Sequence, residues 1–171
     1  MIGTVDYISF GSTFIKELAV INHFNWKKQC WLFKPPFQEN CLDSFSIQRN
    51  KAYKCYGHGL DWNDGYFNLK QLNTLLQEAT SCFDLLLTVG SEKVAILENI
   101  LQRPVINIYD LECPHINTLS PQLYSCTHHY KLDIDECALL NVIRIARWSN
   151  INNLDDHLDL YPSFKRLPMA A

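Results

Sequence analysis

The sequence predicts an α/β fold: three antiparallel meander strands, then alternating helices and two further strands, giving a mixed five-stranded sheet with helices packed on it. Three observations predict it. Residues 4–34 fall into three short runs rich in β-branched and aromatic residues, each closed by turn residues. Residues 68–108 alternate helical spacing with short, continuous apolar runs, the pattern of strands buried on both faces. A chain of 171 residues, 47% of them apolar, is long enough for one well-buried core and too short for two comfortable domains. Residues 1–150 are accordingly read as one domain, and 151–171 as a C-terminal extension, partly disordered, with 161–171 a loose tail.

Taken in order, Thr4 to Phe10 alternates apolar and polar residues as a first strand, ended by Gly11-Ser12. Lys16 to Phe24 and Lys28 to Lys34 supply two more around the turn at Asn25 to Lys27, and Pro35-Pro36 stops the third. Residues 38–66 are polar, with Gly57, Gly59 and Gly65 near Asn63-Asp64, and read as a long irregular excursion. Asn68 can cap a helix and Gln71 can reach back to it, after which Leu69, Leu72, Leu75, Leu76 and Ala79 share one face. Phe83 to Val89 suits a parallel strand. Ser91 is placed to cap the next helix, whose Val94, Leu97, Ile100 and Leu101 face inward until Arg103-Pro104 stops it. Val105 to Ile108 gives the last strand, Cys113 to Leu119 a short helical turn, and 137–148 the closing helix.

Composition narrows the function classes. Fifteen basic against 18 acidic residues give a net charge of −3, which points to no polyanion binder, although a local basic face remains compatible with it. The basic residues Lys27, Lys28, Lys34, Arg144 and Arg147 are scattered, and Arg144 and Arg147 with Asn141 read as the solvated face of the last helix. No opening segment joins a basic start to a long apolar run, and no run reaches the roughly 18 to 20 apolar residues of a membrane helix. The expectation is a cytoplasmic and/or nuclear chain that is not secreted and has no membrane partner. Seven cysteines with no export signal argue for reduced thiols, most of them buried, with Cys30 and Cys82 at strand or strand-edge positions.

Cys126, His129 and Cys137 stand apart. They form a Cys-x2-His-x7-Cys cluster that runs into the apolar segment 138–148. A thiolate and an imidazole three residues apart, closed by a thiolate at a helix start, supply three of the four ligands of a tetrahedral zinc. The start of a helix also favours the Cys137 thiolate through the dipole. The fourth ligand must come from a distant part of the chain, with Cys113 and His115 nearest upstream, and His128 can stand in for His129. Four protein ligands would make the zinc structural, because catalytic zinc keeps a position open for water. In Gly57 to Gly65, the plain reading is a glycine-rich turn with a partly buried Trp62; the functional one has His58, Asp61 and Asp64 lining a cleft and Trp62 stacking on a base.

The order of elements over residues 4–150 resembles the ribonuclease H-like fold, in particular the DEDD exonucleases. That resemblance implies four carboxylates holding two divalent ions: an Asp-x-Glu pair on the first strand, an Asp at a strand-to-helix junction, and a His followed by an Asp at the last helix. Here the first strand has Asp6-Tyr7-Ile8, the junction offers Lys93, and the last helix opens with Cys137. Asp6, Asp84 and Asp133 are remnant candidates, and a lysine would oppose the cations. Asp133, Asp135 and Glu136 read more simply as an acidic first turn of the last helix.

The cluster and the broken acid set together resemble the Maelstrom domain, a branch of this fold that carries Glu, Cys, His, Cys in place of the acids. That resemblance implies Glu17, in Glu17-Leu-Ala-Val, as the fourth ligand beside Cys126, His129 and Cys137, with one structural zinc per chain. It further implies an RNA-binding or interaction module without two-metal catalysis, active in RNA silencing or its viral or mobile-element counterpart, with single-stranded RNA or a protein as partner. A weak, metal-independent ribonuclease activity is compatible with the same resemblance. Two alternatives stand beside it: an active single-strand nuclease using Asp6, Glu17, Asp84 and Asp133 or Asp135 with His128 or His129 as base, and a docking scaffold that binds no nucleic acid.

Overall fold

The computed structural model describes residues 1–11, 14–119, 126, 128, 129 and 136–157. Its centre is a sheet built from β1 (Ile2–Phe10), β2 (Phe14–Asn22), β3 (Lys28–Leu32), β4 (Leu85–Thr88) and β5 (Ile106–Asn107), in the order β3-β2-β1-β4-β5. The first three strands form the antiparallel meander, while β4 runs parallel to β1 and β5 parallel to β4. The α/β class and the mixed five-stranded sheet are therefore as the sequence indicates. β1 sits in the middle and is buried almost throughout, because helices cover both of its faces.

Strand periodicity sorts the side chains. Val5, Tyr7, Leu18, Val20, Trp31 and Leu86 face one way and pack with Leu72 and Leu76 of α2 (Leu72–Thr80) and Leu97 of α3 (Ser91–Leu101). Ile8, Ala19 and Ile21 face the other way, against Ala138, Val142, Ile143 and Ala146 of α4 (Ala138–Ile151). A further cluster joins Leu85, Leu87, Ile106 and Ile145, and Leu154 of the short α5 (Leu154–His157) closes over it. Leu154 of the C-terminal extension is thus packed into the core, while residues 151–153 before it are exposed; residues 158–171 lie outside those described.

Local signals explain most boundaries. Asn68 and Gln71 form the reciprocal capping box, opening a single 3-10 turn, Leu69–Gln71, that leads into α2. Ser91 does not cap α3. Gly90, at φ +92°, takes the cap position, and its carbonyl accepts the Val94 N–H. The helix ends at Gln102 in the left-handed conformation, and the Arg103 guanidinium then donates to the carbonyls of Phe83 and Asp84, tying the α3–β5 link to the start of β4.

The excursion at 38–66 is not irregular throughout. It contains a 13-residue helix, α1 (Ser44–Tyr56), started by Asp43, whose side chain accepts from Ser46 N at 2.7 Å. Only Asn50 of this helix is buried. A helix with no apolar stripe has no period to read, so the sequence pattern missed it. The cysteines also correct an expectation: none is in a disulfide, but Cys41, Cys55 and Cys82 are exposed, and Cys82 lies in the turn after α2. No helix among the described residues is long and apolar enough to cross a membrane.

Candidate metal centre

Antiparallel pairing of β1 with β2 places Glu17 opposite Ile8, on the sheet face that receives α4. Its side chain is fully buried beside the first turn of that helix, and Glu17 Oε1 accepts the Ala138 N–H at 2.8 Å. A carboxylate borrowed from a strand therefore caps α4 in place of its own N-cap residue, Cys137, which makes no side-chain cap bond. The same helix start presents the Cys137 thiol to Glu17. Cys126 and His129 complete the group, so Glu17, Cys126, His129 and Cys137 are all buried and each offers a ligand atom within 4.8 Å of the others. Zinc bonds of about 2.0 to 2.3 Å make the edges of a tetrahedral site about 3.3 to 3.8 Å, which this spacing accommodates.

The orientation of His129 fits a ligand. Its Nδ1 bonds to the carbonyl of His58, which fixes the proton there and leaves Nε2 to coordinate, as an outer-shell partner commonly does for a metal-bound imidazole. That Nε2 lies 2.8 Å from Glu17 Oε2, an ion-pair separation, and both atoms are buried. A proton between them holds the pair without metal, and an ion that displaces that proton would gain two ligand atoms. The residues present therefore suit a divalent, thiophilic ion.

Electrostatics agree with a site that wants positive charge. For Glu17, burial favours the neutral form, but hydrogen bonds from His128 and His129 outweigh it and lower the pKa. Hydrogen bonds from Cys137 and Cys30 pull the Cys126 thiol far down. The Cys137 and Cys30 thiols are pushed up by that same bonding to Cys126 and by burial. Burial opposes charge on His129, but Cys126 and Glu17 raise it to about 10. Buried anions here are held by a proton on an imidazole, and an ion held by the same atoms would supply that charge instead.

The loop after α1 supports the centre from below. Lys16, the neighbour of Glu17 on β2, is fully buried between the rings of Phe10 and Phe14 and donates to the carbonyls of Trp62 and Asp64. Burial lowers its pKa to about 8. The loop so anchored carries His58, itself buried and lowered to about 4 by that burial, whose carbonyl meets His129. Trp62 is 2% exposed, packed edge-on against Phe14 and tilted against Phe10 and Phe37, with its indole N–H on the Phe37 carbonyl. It is a core residue and no base platform; His58 is likewise walled in, and Asp61 pairs with Lys54 at 2.5 Å. The cleft reading of this loop is thereby corrected.

The other candidates fall elsewhere. Cys113 is buried with Leu111 and Ile116, and His115 caps the 3-10 turn Ile116–Thr118 and stacks on Tyr109; neither belongs to the cluster. Asp6 lies on the same sheet face as Glu17, fully buried, with Oδ1 2.5 Å from Lys93 Nζ and Oδ2 2.8 Å from Asn141 Nδ2. Asn141 is therefore no part of a solvated face, and Arg144 donates to it at 3.3 Å. Asp84 sits beside Met1, whose terminal ammonium it meets, and the parallel register of Ile2 with Leu85 puts it about 16 Å along the sheet from Asp6. It cannot share an ion with Asp6. Asp133 and Asp135 lie outside the described residues, and Glu136 is exposed.

Sequence reasoning missed four participants: Cys30, His58, Lys16 and Asn141. A lone cysteine on a strand and a histidine in a glycine-rich loop carry no spacing signal, and only the register brings them here. No family model, no curated protein and no solved structure matches this chain.

Proposed function

We propose that this chain is a Maelstrom-like, ribonuclease H-like domain, held by a structural zinc at Glu17, Cys126, His129 and Cys137, that binds single-stranded RNA without two-metal catalysis. The observation that carries the reading is the environment of Asp6. In a two-metal nuclease the first-strand acid must offer its oxygens to cations. Here one oxygen of Asp6 is taken by the lysine ammonium of Lys93 and the other by the amide of Asn141, so the charge is balanced from within. The strand order β3-β2-β1-β4-β5 and the buried Glu-Cys-His-Cys set support the same assignment.

The RNA part draws support from α1. Arg49, Lys51 and Lys54, the last paired with Asp61, lie along it, and Tyr53 and Tyr56 are exposed, the latter 85%. Cations beside exposed rings suit a single strand, whose phosphates and bases they contact in turn. The decisive experiment pairs fluorescence-anisotropy titration of labelled single-stranded RNA at low salt with a degradation assay in Mg²⁺ and Mn²⁺. Binding that weakens with salt, with intact RNA, is expected. Metal-dependent degradation abolished by Asp6→Asn would establish the nuclease alternative, and undetectable binding at low salt would leave the docking scaffold. Zinc retained on purification and absent from a Cys126→Ser, Cys137→Ser variant is the expected companion result.

A further inference from the structure

Cys30 and His128 are the feature that the four-ligand centre leaves unused. Cys30 stands on β3 opposite Ala19, and so one strand outward from Glu17, on the face that receives α4. Its Sγ is 3.5 Å from His128 Nδ1, and that same nitrogen is 3.6 Å from Glu17 Oε2. Both separations match the edges, about 3.3 to 3.8 Å, of a tetrahedral site with sulfur, nitrogen and oxygen ligands. Glu17, Cys30 and His128 indeed form a second set of mutually close ligand atoms, sharing only Glu17 with the first.

We infer that the centre is a pair of adjoining sites, in which Glu17 bridges a buried ion and a second thiophilic divalent ion held by Cys30 and His128. The inference rests on the reading of the first site as a zinc site. Charge supports it. Glu17, Cys126 and Cys137 bring three negative charges against the two of a single ion, so one ion leaves the buried pocket net negative. Coordination of a second ion would displace the Cys30 thiol proton, and two divalent ions would then balance the four ligand charges. Glu17 is able to bridge because Oε2 faces both imidazoles, at 2.8 Å from His129 Nε2 and 3.6 Å from His128 Nδ1. The second position is the outer one. His128 keeps 18% of its side chain exposed where Glu17 keeps none, so with three protein ligands the outer ion has solvent within reach for its fourth.

The test is native mass spectrometry of the reduced, metal-free chain refilled with Co²⁺, alongside the sulfur-to-cobalt charge-transfer absorption. Wild type is expected to take two ions, with the absorption rising through both equivalents. Cys30→Ser and His128→Gln, each checked for native circular dichroism, are expected to take one, with the absorption levelling after the first equivalent. A single ion at saturation in wild type, with Cys126→Ser losing it, overturns the second site and leaves the first standing. Two ions retained in both variants also overturns the inference. No ion in wild type removes the first site and the second together.

Discussion

Lys93 and Asp6 decide at the scale of single residues what this sheet face can do. Asp6 is fully buried at the centre of β1, and its charge is acceptable only because Lys93 and Asn141 meet it there. Lys93→Met strands that carboxylate and should cost about 3 kcal/mol in urea unfolding, whereas pairing it with Asp6→Asn should recover most of the loss. Equal destabilisation by the single and double variants would contradict the pairing. His23 gives a second residue-level expectation. It is buried beside Thr4, bonded through Nε2 at 2.7 Å, and burial lowers its pKa to about 4 from 6.5. The folded state therefore resists protonation that the unfolded chain accepts between those values. Stability is fully present above pH 6.5 and falls as pH drops to 4, by up to about 3 kcal/mol. In His23→Gln that part of the acid loss should vanish when urea midpoints are compared at pH 7 and pH 4.5. None of this could be read from composition, since a lysine and an aspartate 87 positions apart meet only through the sheet.

At the scale of elements, legibility followed periodicity. The helix after Asn68 announced itself by its capping box and leucine face, and Asn68→Ala should lower stability by about 1 kcal/mol in thermal unfolding. The parallel strand Leu85–Thr88 was equally readable, being apolar on both faces because helices flank the sheet. Helix α1 was not, since a strip of mixed polar residues with one buried side chain leaves no trace in hydrophobic spacing. On the proposed RNA-binding reading, its exposed residues are the ones that would meet the strand. Tyr56→Ala should weaken single-stranded RNA binding by about tenfold while leaving the unfolding midpoint unchanged, and an unaltered anisotropy titration would remove α1 from the interface.

For the whole molecule, the Glu17, Cys126, His129 and Cys137 cluster joins parts that share no sequence neighbourhood: β2, Cys126 with His129, the start of α4 and, through His58, the loop behind α1. With zinc bound there as proposed, its removal would leave buried thiols and a carboxylate without their cation. A strong chelator should lower the melting temperature by roughly 10 °C, restored by added zinc. A melting curve indifferent to chelation would contradict the structural zinc. The sequence by itself determined the α/β class, the meander followed by parallel strands, and the Cys-His-Cys spacing, because these are local patterns of period, turn residues and ligand type. Only the tertiary structure decided that Glu17 rather than Cys113 or His115 joins the cluster, that Lys93 occupies Asp6, and that Cys30 and His128 stand beside the centre. Those meetings depend on strand register and on where α4 lands. Register fixes which side chains share a face across strands, and nothing in the linear spacing of the chain records it.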